Sequence, residues 1–213
     1  MDAVSEHGPE HGGQRVALFG GSFNPIHHGH LIIARAVAER LRVGRLVFIP
    51  SASPPHKQAR TDLADAVHRL AMVRLAIEGE SGAEAGDIEI RRTGPSYTID
   101  TVHAFRDQLG AGARLYWIIG GDSLPELHTW YRASELVEAC TVVTAVRPGY
   151  EHPDLRVLQP TLTATQVSEL SRNILPTPRI DISATEIRRR VREGRSIRYL
   201  VPERVRAYLE QEH

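Results

Sequence analysis

Cysteine occurs once in this sequence, at Cys140, so no disulfide can close within the chain. Lysine also occurs once: Lys57 is the sole ammonium among 26 basic residues, and the rest are arginines. Net charge is lacking too, because 26 acidic residues balance the basic ones. A balanced chain has no broad positive surface of the kind that nucleic acid demands. No uninterrupted apolar run approaches the roughly 18 residues that cross a bilayer. The opening "MDAVSEHGPEHGGQR" has no apolar segment that could serve as a signal peptide. These absences lead us to expect a cytoplasmic protein with neither membrane nor nucleic-acid partners. Cys140 lies in the strand-like "CTVVTAV" and reads as a small buried residue, not a reactive thiol.

What is present is a succession of short apolar runs closed by glycine or proline. "RVALFGG" (Arg15 to Gly21) reads as a buried strand. A helical stretch follows from His28 to Leu41, and "RLVFIP" (Arg45 to Pro50) is a second strand. Strand, helix and strand within this span form a βαβ unit, which implies parallel strands. The pattern continues with a helix over Asp62 to Ile77, capped by Thr61 or Asp62, and a strand at "DIEIRR". A helix over Ser96 to Leu109, with Ser96 as its cap, precedes the strand "RLYWIIG" (Arg114 to Gly120). Arg132 to Glu138 is a short helix, "CTVVTAVRP" a strand and "PRIDIS" (Pro178 to Ser183) a late strand. Helices over Ala184 to Arg192 and Glu203 to Glu210 close the chain. Residues 149–177 read as an irregular connection. The expected fold is α/β: one Rossmann-like, doubly wound, mostly parallel sheet with helices on both faces. Residues 15–213 form a single domain behind a disordered tail over 1–14.

In such sheets ligands bind at the carboxyl ends of the strands. The distinctive segments after Gly20, Ser51, Gly120 and Ser183 would then share one rim. The first of them, "GGSFNPIHHGH", poses three alternatives: a metal site, an anion site or a polar loop that opens a helix. Gly20 and Gly21 allow a sharp exit from the strand and a close backbone approach. His27 and His30 are three apart and share one face of a helical turn, where unpaired N–H groups favour anions. Zinc would need a third ligand, and the segment has no internal Glu of the zincin kind. Taken alone, the segment also suits a solvated loop.

Two motifs together resolve the choice. "GGSFNPIHHGH" resembles the first signature of the nucleotidyltransferase superfamily, and "ISATEIRRR" (Ile182 to Arg190) resembles its second, in the same order and at a similar separation. "SPPHK", "GPSYTIDTV", "IGGDSLPELHTWYR" and "LVPERVRAYL" further resemble the bacterial nicotinate-nucleotide adenylyltransferase family. The likeness runs from about Val16 to the C-terminus, omitting the tail and residues near 151–177. Asn24 departs from it where many relatives carry Asp, and His28 is an additional histidine.

The resemblance implies an enzyme that joins ATP and nicotinate mononucleotide to give deamido-NAD and pyrophosphate. It implies that His27, His30, Lys57 and Arg188 are catalytic, with Mg²⁺ arriving on the nucleotide and no metal site in the protein. ATP would meet Gly20, Gly21, Ser22, Phe23, His27, His30, Gly120, Asp122, Ile182, Ser183, Thr185 and Arg188. Nicotinate mononucleotide would meet Ser22, Lys57, Tyr97, Thr98, Trp130 and Tyr131. The sequence leaves a homo-oligomer open.

Overall fold

A computed structural model describes residues 13–54, 62–146 and 153–212. Lys57, Thr61 and the tail up to residue 12 lie outside the described residues. The strands are β1 (Arg15–Gly21), β2 (Arg45–Pro50), β3 (Ala83–Ala85), β4 (Arg114–Gly120), β5 (Thr141–Val146) and β6 (Ile174–Pro176). They form a single sheet in the order β3-β2-β1-β4-β5-β6, and every adjacent pair is parallel. The chain builds outward from β1 to β3, then returns to the other side of β1 to place β4. That reversal leaves a crevice at the carboxyl ends of β1 and β4, the customary ligand position in doubly wound sheets.

Strand alternation divides the core in two. Val16, Leu18, Leu115, Trp117 and Ile119 face one side, where α4 (Thr98–Leu109), α5 (Ala133–Ala139) and α6 (Ala164–Arg172) cover them. Ala17, Phe48, Tyr116 and Ile118 face the other. That side is closed by α1 (His28–Arg40), α2 (Ala66–Ala76), α7 (Ala184–Arg192) and α8 (Glu203–Gln211). The four inner strands β2, β1, β4 and β5 are covered on both faces, as parallel sheets require, while the short edge strands β3 and β6 are partly exposed.

Two strands lie upstream of their expected positions. β3 is Ala83–Ala85, in register with Leu46–Phe48, and the N–H of Gly86 donates to Phe48 O at 2.8 Å. "DIEIRR" instead contains the short helix α3 (Ile88–Arg91). Likewise "PRIDIS" is not a strand, because β6 has already paired Ile174–Pro176 with Thr144–Val146. Thr177 ends that ladder by donating both its N–H and its hydroxyl to Val146 O, at 2.9 and 3.1 Å. Pro178, which has no N–H, cannot extend it. The span read as irregular is ordered where it is described. Thr163 and Gln166 form a reciprocal capping box that starts α6. Two caps also differ from expectation. Asp65, not Asp62, accepts from Val67 N–H at the start of α2. Tyr97 occupies the cap position of α4, while Ser96 is bonded elsewhere.

Candidate active site

The turn after β1 owes its shape to packing. A Cβ on Gly20 would lie 2.4 Å from the Trp117 ring, so only glycine lets that indole sit against the end of β1. Phe23 takes a left-handed φ of 44° and buries its ring behind the turn. The chain then enters α1 with His27 at the cap position. Gly29 gives His27 its room, since a Cβ there would come 3.0 Å from Nδ1 of that ring.

His27 and His30 stack, with ring centroids 3.7 Å apart. The backbone N–H of His27 donates to Nδ1 of His30 at 3.3 Å. A neutral His30 therefore carries its proton on Nε2, where it can donate. His27 is 6% exposed, and its buried Nδ1 has no hydrogen-bond partner among the described residues. Burial, with the nearby charge of His28 as a lesser cause, pulls the His27 pKa down to about 4. At neutral pH it is an uncharged imidazole.

Three separate segments are tied together beside these rings. Arg188 of α7 donates from Nε to Asp62 Oδ2 at 3.0 Å, from Nη1 to Asn24 O at 2.9 Å and from Nη2 to Thr185 Oγ1 at 3.4 Å. Asn24 donates from Nδ2 to Asp62 O at 2.8 Å and accepts from Ala64 N–H at 3.2 Å. Beneath them Arg69, 1% exposed, donates to Ser22 O at 2.7 Å and Ala64 O at 2.8 Å. Burial lowers the Arg69 pKa, and Asp65 and Glu89 oppose that effect. Arg69, Asn24 and Asp62 were not among the expected site residues. Arg69 had a signal: it shares the buried stripe of α2 with Met72 and Val73, where a cation is out of place.

A cavity of about 900 Å³ opens at the crevice between β1 and β4. All twelve positions expected to meet ATP line it: Gly20, Gly21, Ser22, Phe23, His27, His30, Gly120, Asp122, Ile182, Ser183, Thr185 and Arg188. The N-terminus of α7 opens there, with Ser183 accepting from Glu186 N–H at 3.2 Å. Of the positions expected to meet the mononucleotide, only Ser22 lines this cavity among the described residues. Tyr97 and Tyr131 stack on each other instead, with centroids 4.3 Å apart. Thr98 opens α4, and half-buried Trp130 packs against the core on the same face of the sheet. Among the described residues no three His, Cys, Asp or Glu side chains converge to hold a metal.

An open parallel sheet with a polar crevice at its switch point, lined by imidazoles, hydroxyls and the Arg188 guanidinium, is the arrangement of the nucleotide-binding class of α/β proteins. Residues 18–190 match the cytidylyltransferase-like family. A Thermomicrobium roseum relative named "Probable nicotinate-nucleotide adenylyltransferase" is 40% identical, over 92% of this chain and 88% of its own. One of the same name from Serratia proteamaculans is 42% identical, over 91% and 92%. The chain belongs to the cytidylyltransferase-like family and, within it, to the nicotinate-nucleotide adenylyltransferases. A solved Plasmodium falciparum nicotinic acid mononucleotide adenylyltransferase complexed with NaAD shares the fold, with a TM-score of 0.72 at 17% identity. It covers 93% of this chain and 96% of that one.

Proposed function

We propose that this protein transfers the adenylyl group of ATP to the phosphate of nicotinate mononucleotide. A phosphate oxygen of the mononucleotide attacks the α-phosphorus of ATP. The bond from that phosphorus to the bridging β-oxygen breaks, and pyrophosphate leaves as deamido-NAD forms. The nucleophile belongs to the substrate, so the protein's work is positioning and charge stabilisation. His30 is suited to that work because its Nε2–H can donate to an oxygen gaining charge. His27 supports the His30 ring through the stack. Ser183, Thr185 and Arg188, at the N-terminus of α7, suit the β- and γ-phosphates. Asp122 suits ribose hydroxyls, and Lys57 a phosphate. Tyr97, Thr98, Trp130 and Tyr131 form the nicotinate side.

The crevice donors are imidazoles, hydroxyls and a guanidinium, which match phosphate oxygens better than a bare cation. A divalent ion, Mg²⁺ in this reading, would thus travel on the triphosphate and neutralise part of its charge. Both substrates are intracellular metabolites, so a cytoplasmic location is part of the same proposal.

The observation that carries the reading is the convergence of His27, His30, Ser183, Thr185 and Arg188, from two distant motifs, on one cavity. Purified protein with ATP, Mg²⁺ and nicotinate mononucleotide should release pyrophosphate. Release with phosphopantetheine and none with the mononucleotide would refute the assignment. His30→Ala should lower kcat by about 10²-fold or more, as loss of one preorganised donor does. Near-normal turnover would make this histidine structural.

A further inference from the structure

Outside the crevice, one buried acid stands apart from all the groups used above. Glu89 is 4% exposed, in the four-residue helix α3 that the sequence pattern had read as strand. Thr101 Oγ1, itself fully buried, donates to its Oε1 at 2.7 Å. Burial pushes the Glu89 carboxyl up, while the hydroxyls of Thr101 and Ser96 and the charges of Arg92 and Arg69 favour its ionised form. A buried acid is an expensive way to fill space, and an apolar side chain would do so at less cost. Its partners suggest what it does.

Ser96 accepts from Ser53 N–H at 3.0 Å through its hydroxyl oxygen, and its own N–H donates to Ser53 O at 2.9 Å. The Ser53 loop therefore docks on the turn that opens α4. Arg92 donates from Nη2 to Tyr97 O and to Thr101 Oγ1, each at 3.3 Å. One carboxylate thus underlies the docking of Ser53, the turn carrying Ser96, and the first turn of α4 with Tyr97 and Thr98.

We propose that Glu89 is a positioning residue for the mononucleotide half of the site, acting through Ser96 and Thr101. The inference rests on the proposed adenylyl transfer. Glu89 acts here as an acceptor: Thr101 Oγ1, which accepts from Arg92, donates its hydrogen to Oε1, and the Ser96 hydroxyl, which accepts from Ser53 N–H, donates to the same carboxyl. Glutamine has nearly the same shape but offers one acceptor and one donor. In its presence one of the two hydroxyls loses its acceptor at residue 89 and must re-aim its proton, as Thr101 can toward Tyr97 O at 3.4 Å, and the segment docked through that hydroxyl loosens. The ATP half, built from Gly20 to His30 and from Ile182 to Arg188, meets this network through the Arg69 charge and the Ser51 bond to Gly21 O, neither of which depends on the two hydroxyls, and should be affected less.

The test is steady-state kinetics of Glu89→Gln and Ser96→Ala with ATP and nicotinate mononucleotide, alongside thermal melts. With one of these buried hydrogen bonds lost, KM for the mononucleotide should rise about tenfold in Glu89→Gln. KM for ATP should stay within about twofold, and the melting temperature should fall by only a few degrees. Ser96→Ala should move the mononucleotide KM in the same direction, by a smaller factor. Unchanged KM values, or both rising together, in a folded Glu89→Gln protein would overturn the inference. Should Glu89→Gln fail to fold, Ser96→Ala decides by the same criterion. A wild type that does not turn over the mononucleotide sinks the functional reading and this inference with it. Normal wild-type turnover without the split sinks the inference alone.

Discussion

His27 and His30 share a residue type, a helical turn and a cavity, yet the fold treats them differently. His30 keeps a donor on Nε2, whereas His27 is buried, its Nδ1 unpartnered among the described residues and its pKa near 4. This has a consequence for stability. The unfolded chain takes up a proton at His27 near pH 6.5, and the folded chain only near 4. The group's contribution is therefore whole above pH 6.5 and is lost as pH falls toward 4. Between pH 7 and pH 5 the loss is about 2 kcal/mol. Urea unfolding at those two pH values should show it in the wild type and not in His27→Gln. Equal pH dependence of the two proteins would mean that His27 titrates normally when folded. The spacing of these histidines was readable in the sequence, and so were the hydroxyls and guanidinium of "ISATEIR". The buried charges were harder to see. Arg69 betrays itself only by its place on the stripe of Met72 and Val73, and Glu89 looks like the solvent-facing charge of an alternating strand, because a one-dimensional pattern does not record which polar groups are covered from the far side of the chain.

At the scale of elements, long strands and helices follow from periodicity, and short ones do not. β3 and β6 are three residues each, too brief for alternation to register, and both were expected a few residues downstream. Their true places are set by the partner strands: Leu46–Phe48 for β3 and Thr144–Val146 for β6. α6 did carry a local signal, the Thr163-x-x-Gln166 capping box, within a span that the prolines made look irregular. Gln166 also donates from Nε2 to Ser134 Oγ at 3.0 Å and to Glu138 at 2.9 Å, tying α6 to α5. Thr163→Ala should cost about 1 kcal/mol in denaturant unfolding through loss of the cap. Pyrophosphate release should be unchanged, because this helix covers the face away from α1 and α7. A loss of activity beyond that of stability would link α6 to the site.

For the molecule as a whole, the placement of the cavity matters more than its size. It sits where the two halves of the sheet meet, lined by the ends of β1 and β4, by Ala145 and Val146 at the end of β5, and by α7. A ligand held there touches segments from almost the whole length of the chain, so its binding energy opposes global unfolding. At 100 times its dissociation constant, ATP should add about 2.7 kcal/mol to stability. For a chain of this length that is a rise of about 5–10 °C in melting temperature. Calorimetry with and without saturating nucleotide measures it, and a flat melting temperature would place the nucleotide elsewhere or nowhere.

Trp117 lies under Gly20 with its indole edge against the turn that precedes the histidines. The chain has one other tryptophan, Trp130, which packs against the core on the face covered by α4, on the nicotinate side of the proposed site. Each half of the proposed reaction therefore has its own built-in fluorophore. Replacing Trp130 by Phe leaves an optical probe that looks only at the phosphate turn, and the occupancy of that turn becomes visible in real time without any label.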